Sequence, residues 1–160
     1  MEDILNKEPV QRVIKALNDF DQSLKVEILN TSARTAQEAA SSLKCEVGAI
    51  VKTLLLRTDN NFILCLVAGD KKCSLNKIKK LINKKDVSMA NAEQVKTQTG
   101  FSIGGVSPVA NSNRNKIFID SSFSRFEDVY AAAGHPNSIF KINYKKLIEL
   151  TKGEEEDIIL

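Results

Sequence analysis

Ile50-Val51-Lys52-Thr53-Leu54-Leu55-Leu56, then the turn Asp59-Asn60-Asn61, then Phe62-Ile63-Leu64-Cys65-Leu66-Val67-Ala68, decide the fold of this chain. Two runs rich in β-branched and aliphatic residues on either side of a short polar turn read as a hairpin. Both faces of both runs are largely apolar, so helices or further sheet must cover each side, and the hairpin belongs at the centre of the core. One residue breaks the pattern. Alternation with a period of two puts Lys52 on the face that carries Ile50, Leu54 and Leu56, where an unpaired ammonium sealed from water is costly. Such a lysine opens into a cleft, meets an anion, or runs its stem along the sheet so that the amine escapes at an edge.

Downstream of the hairpin, Leu75, Ile78, Leu81 and Ile82 mark an amphipathic helix whose outer face carries Lys77, Lys79, Lys80 and Lys84. Seven lysines and no carboxylate lie between Lys71 and Lys85, a run that reads either as a solvated helix face or as a landing strip for phosphates. Asn91 caps a short helix that ends near Gly100. There begins Gly100-Phe101-Ser102-Ile103-Gly104-Gly105-Val106-Ser107-Pro108-Val109. It opens like a strand, breaks at two adjacent glycines and closes on a Ser-Pro pair. Pro108 fixes its own φ and pushes Ser107 towards an extended conformation, which makes the loop a shaped ledge. Main-chain amides on such a ledge suit a phosphate or a developing oxyanion, and the same residues also serve as a plain bend between strands. Lys116–Asp120 and 129–133 read as strands, Gly134-His135-Pro136-Asn137 as a turn into a strand over 138–142, and Asn143 as the cap of a last helix.

Upstream, Pro9 followed by Val10, Val13, Ile14 and Leu17 predicts a helix over residues 9–20. Val26 and Ile28 suggest a short strand. Thr35-Ala36-Gln37-Glu38 has the capping-box form, ahead of a narrow stripe of Ala36, Ala39, Ala40 and Leu43. The sum is an α+β single domain with a curved mixed, mainly antiparallel sheet flanked by helices, spanning residues 1–152. The acidic tail, residues 153–160 with Glu154, Glu155, Glu156 and Asp157, is expected to fray.

Composition removes several classes of function. The chain has 160 residues, 42% hydrophobic and 27% charged, with a net charge of +3, which is globular in balance and too weakly basic to announce a nucleic-acid binder alone. Cys45, Cys65 and Cys73 show no C-x-x-C spacing, so reduced thiols are expected rather than a disulfide framework or zinc site. The first twenty residues hold Glu2, Asp3 and Glu8 and no continuous apolar run, and no stretch approaches the roughly 20 apolar residues that span a bilayer. A cytoplasmic protein without a membrane partner is expected. His135 is the sole histidine, which excludes a metal site built on several imidazoles. A Ser107, His135 and Asp120 triad can be drawn, but no nucleophile-elbow sequence supports it. No helix obviously starts behind Gly104-Gly105, which argues against a dinucleotide fold, and no cofactor is expected.

Thr35-Ala36-Gln37-Glu38-Ala39-Ala40, Ile50-Val51-Lys52-Thr53-Leu54, Gly104-Gly105-Val106-Ser107-Pro108, Phe118-Ile119-Asp120 and Ala132-Ala133-Gly134-His135-Pro136 resemble, in order and spacing, the YbaK / prolyl-tRNA synthetase-associated domain family. That resemblance implies an aminoacyl-tRNA deacylase, a free-standing trans-acting editor that hydrolyses small amino acids from tRNA-Pro or a related tRNA. Its partners would be the aminoacyl-tRNA acceptor end and an aminoacyl-tRNA synthetase. It matches Lys52 to the family's active-site lysine and residues 104–108 to its glycine-rich, proline-containing loop. The expected catalytic groups are Lys52 and the main chain at Gly104, Gly105 and Ser107, with Thr35, Pro108, Gly134 and His135 binding substrate. Two alternatives remain open from the residues: a non-catalytic tRNA- or synthetase-binding module, and a small-molecule esterase or amide hydrolase using Ser107 or Cys65 as nucleophile.

Overall fold

The structure is a computed structural model and describes residues 3–160. Along the chain run α1 (Glu8–Phe20), β1 (Val26–Ile28), α2 (Ala36–Leu43), β2 (Val51–Thr58), β3 (Asn61–Ala68), α3 (Leu75–Ile82) and β4 (Val87–Met89). They are followed by α4 (Ala92–Thr99), β5 (Lys116–Asp120), β6 (Asp128–Ala132), β7 (Ser138–Asn143), α5 (Tyr144–Thr151) and β8 (Glu154–Glu156).

The hairpin forms, with Lys52 opposite Val67, Leu54 opposite Cys65 and Leu56 opposite Ile63, and its turn is tighter than expected because Asn61 already pairs with Thr58. It is covered on both sides. Val51, Leu55, Leu64 and Leu66 join Val13 and Leu17 of α1, Phe101, Phe140 and Leu147 in one core, while Leu56, Ile63, Cys65 and Val67 pack against Ile78 of α3, Phe118 and Ile158 in another. Burial on both faces explains why neither strand shows clean polar alternation.

The strands divide into a five-stranded sheet, β4-β2-β3-β5-β8, and a three-stranded sheet, β1-β7-β6. The hairpin and the β2–β4 pair are antiparallel; β3–β5 and β5–β8 are parallel. The expected curvature therefore takes the form of two sheets, which share a core and are linked by a backbone bridge between Ile50 and Tyr130. β4 pairs with β2 only over Leu56, Arg57 and Thr58, after which the Ala90 N–H donates to the Leu55 carbonyl at 3.0 Å. Between that bond and the bridge, the outer edge of β2 has no strand beside it among the described residues. This gap places the site.

Local caps follow the sequence with one exception. The Thr35 hydroxyl accepts from the Glu38 N–H at 3.1 Å, but no return bond from the Glu38 carboxylate forms among the described residues, so Thr35 is a simple cap. Asn91 and Gln94 make the reciprocal pair instead, at 2.8 and 2.9 Å.

The tail does not fray. Glu154–Glu156 pairs with β5, Cys73 bridges to Ile159, and Ile158 is fully buried. Its charges are held: Lys77 reaches Asp157 at 2.8 Å, Lys116 reaches Glu154 at 3.0 Å, and the Tyr144 hydroxyl donates to Glu155 at 2.6 Å. Four consecutive acids read as solvated because the lysines and tyrosine that meet them are distant in sequence. Ile158→Ala is expected to lower unfolding free energy by about 2–5 kcal/mol, the cost of emptying a sealed aliphatic site. Denaturant unfolding checks it, and a frayed tail would show no change.

Candidate active site

A cavity of about 410 Å³ lies along the uncovered edge of β2, between the two sheets. Five consecutive β2 residues, Val51 to Leu55, line it, as expected of a strand seen from its side. Most of the wall is apolar: Ala33, Ala36, Ala39 and Leu43 from α2 and its approach, Ile50, and Tyr130, Ala132 and Ile139 from the second sheet. The small stripe on α2 brings that helix close to the sheet. Polar groups are few, namely Arg34, Thr35, Lys52, Thr53, Gly104, His135 and Ser138. An apolar chamber with a small number of placed polar groups suits an organic ligand of modest size.

Lys52 is partly buried, and its ammonium donates to the Lys71 carbonyl. Burial pulls its pKa below the ordinary lysine range, and the carboxylates of Asp70 and Asp120 and the Cys73 thiol work against that pull. The lysine thus borders the cavity while its charge stays tied to the chain after β3.

The ledge is divided. Gly104 faces the cavity, but the Gly105 N–H is taken by the Ser102 carbonyl at 3.0 Å, and Ser107 is fully buried with its hydroxyl accepting from the Val109 N–H at 3.3 Å. Pro108 looks the other way, into a separate cavity of about 620 Å³ bounded by Leu64, Asn111, Ile117 and Leu150. That second cavity is larger, yet it contains neither Lys52 nor His135. The expectation of oxyanion donors at Gly105 and Ser107 is therefore corrected, since the turn consumes one amide and packing seals the other. Gly104 and Val106 both line the cavity, and among the described residues nothing accepts from their N–H groups.

Gly105 serves the site by allowing close approach. A Cβ there would lie 2.8 Å from the His135 nitrogen and 2.9 Å from its Cα, so the absence of a side chain lets the ledge rest on the 134–137 turn. Gly134 lies behind the cavity, at φ +94° and against the Pro9 backbone. It shapes the turn and does not line the chamber. His135 does, and its Nδ1 accepts from the Asn137 N–H at 3.0 Å, which leaves the proton of the neutral ring on Nε2. Thr35 also borders the cavity while capping α2.

The residues for a nucleophilic esterase do not converge. Asp120 is fully buried, with its carboxylate accepting from the Ala68 and Ser122 N–H groups at 3.0 and 2.8 Å. Cys65 is sealed in β3, where its hydrogen bond with Cys73 and burial push the thiol pKa up.

Thr53 and Arg34 are among the wall residues that the sequence reading does not find. In a strand, backbone groups of alternate residues point to the same side. Since Leu55 offers its carbonyl towards β4, Thr53 turns its own N–H and C=O to the uncovered edge. The Thr53 hydroxyl is also buried without a partner among the described residues. Only knowledge of where β4 stops reveals this. Arg34 is the other: its stem lies 3.4 Å from the Cβ position of Gly104, and a lone arginine in a loop carries no periodic signal.

Residues 30–150 match the family model described as the aminoacyl-tRNA editing domain. The uncharacterized protein YwhH of Bacillus subtilis (strain 168) is 31% identical over 122 residues, covering 76% of this chain and 77% of that one. A proline--tRNA ligase of Lactobacillus acidophilus is 30% identical over 132 residues, 79% of this chain, which spans 23% of that enzyme. The crystal structure of a proposed trans-editing enzyme for prolyl tRNA synthetase superposes with a TM-score of 0.90 at 34% identity, covering 96% of this chain and 98% of that one. With two sheets parted by one aliphatic chamber, and a sequence match that runs from the approach to α2 as far as α5, this chain belongs to the aminoacyl-tRNA editing domain family.

Proposed function

We propose that this protein hydrolyses the ester bond of mischarged aminoacyl-tRNA in trans, releasing a small amino acid from tRNA-Pro or a related tRNA. One observation carries the proposal: Lys52, Gly104 and His135, from three separate parts of the chain, border the same apolar chamber. The aminoacyl group occupies that chamber, with its polar end towards the open Thr53 backbone. When substrate binds, the ammonium of Lys52 exchanges the Lys71 carbonyl for the phosphate of the terminal nucleotide, and the N–H groups of Gly104 and Val106 receive the ester oxygen as it becomes an oxyanion. Water attacks the carbonyl. Its proton passes by way of the ribose 2′-hydroxyl, and the 3′-oxygen leaves protonated, giving a free amino acid and an intact tRNA. An aminoacyl ester is already activated, so orientation and oxyanion stabilisation supply most of the acceleration. A synthetase is the natural second partner of such an editor.

The aliphatic wall favours alanine among the small residues. Each additional or missing methylene changes binding by only about 1–3 kcal/mol, so the chamber sorts mainly by bulk. Single-turnover incubation with a panel of tRNAs carrying alanine, serine, cysteine, threonine or proline tests this reading. Alanine is expected to be released fastest and proline slowly. A panel left fully esterified would make the protein a tRNA-binding module instead.

A further inference from the structure

Two large apolar side chains stand in water at the mouth of the chamber. Ile103 is 64% exposed and Met89 52% exposed, and both belong to the cavity wall. Deeper in the same wall, Ile50, Val51, Leu55 and Ile139 are buried, so exposure is confined to the entrance. The two residues arrive from independent elements. Met89 ends β4 opposite Leu56, where the sheet stops covering β2, and Ile103 sits in the turn closed by the Gly105 N–H to the Ser102 carbonyl, one residue before Gly104.

Arg34 stands at the same mouth, its stem against Gly104. Among the described residues it makes no ion pair. Exposed aliphatic groups with an adjacent guanidinium match one chemical class well: a flat base pulled out of its stack, joined to a phosphate. Proteins hold such bases between apolar side chains, and arginine takes up phosphate oxygens in a fixed planar geometry.

We propose that Ile103 and Met89 grip the 3′-terminal base of the tRNA at the entrance, with Arg34 on the adjoining phosphate. The terminal ribose is then held so that its ester hangs into the chamber beside Gly104. Ile103, Met89 and Arg34 are positioning residues. The inference rests on the editing reading and adds to it how the substrate's end is fixed.

The test uses Ile103→Ser, Met89→Ser and the double variant, each first shown to keep the wild-type Tm. Titration with the trinucleotide CCA, followed by NMR, is expected to give binding about tenfold weaker in each single variant, the scale of losing about two buried methylenes of apolar contact. In deacylation of alanyl-tRNA, KM should rise by about the same factor while kcat stays within about twofold. Unchanged CCA affinity in the double variant overturns the proposal, and so does a fall in kcat at constant KM. If no mischarged tRNA is hydrolysed by the wild-type protein, the editing reading fails, and the CCA titration still decides the grip by itself.

Discussion

Lys52→Met is expected to reduce deacylation of the preferred mischarged tRNA by at least about 100-fold, the scale of removing one oriented charged or hydrogen-bonding group from a water-poor site. The protein should remain folded, with Tm close to that of the wild type. The side chain sits on an apolar strand face where burial disfavours its charged form, so an unbranched apolar residue removes that penalty and offsets the lost hydrogen bond to the Lys71 carbonyl. Single-turnover rates and thermal unfolding measured on the same preparation check both halves. Wild-type activity in the variant would remove Lys52 from the site.

The pH dependence follows with a definite sign. Lys52 has a lower pKa in the folded protein than in the unfolded chain, so between the two values the unfolded state binds more protons and stability rises with pH. The stability of Lys52→Met relative to the wild type is therefore highest below the folded pKa and declines as pH rises through the window towards the ordinary lysine value. Deacylation moves oppositely: it is lost as pH rises through the folded pKa, sooner than an ordinary lysine would dictate. Subtracting spontaneous ester hydrolysis at each pH exposes this limb, which should be missing from the residual rate of the methionine variant.

The second large effect is expected at Gly105→Ala. A methyl group there would stand 2.8 Å from the His135 nitrogen and 3.0 Å from the Gly134 carbonyl carbon, both of them backbone that cannot turn aside. The 102–106 ledge must lift off the 134–137 turn, at about 1–3 kcal/mol for an overpacked contact. Gly104 and Val106 move with it. A displacement on the order of 1 Å at the oxyanion position is enough to slow a positioned reaction about 100-fold, so kcat should fall far more than the loss of stability explains. A variant with lowered Tm and full kcat would show that the ledge takes no part in the chemistry.

Much of this was readable in the chain. The apolar hairpin, the Pro9 helix, the Thr35 and Asn91 caps and the double-glycine break are local, and each rests on a few adjacent residues whose periodicity or backbone preference is strong. Lys52 stood out because alternation alone placed it among aliphatic neighbours. The errors have a common cause. The acidic tail, Ser107 and Gly105 invite a reading from their own chemistry, but their surroundings decide them: β5 and Lys77 for the tail, the nearby Val109 N–H and the sealed core for Ser107, the nearby Ser102 carbonyl and the distant His135 backbone for Gly105.

By itself the sequence determined the kind of protein this is: a mixed α+β fold built on one buried hairpin, with a lysine out of place on it and a glycine ledge further along. Those features follow from side-chain period and backbone conformational preference, which act over a handful of residues. The tertiary structure alone decided that β4 stops at Met89 and that the second sheet bridges to the chain just ahead of β2, at Ile50 and Tyr130. The chamber exists because of that mismatch, and strand length against a non-adjacent partner is settled by how the whole chain packs.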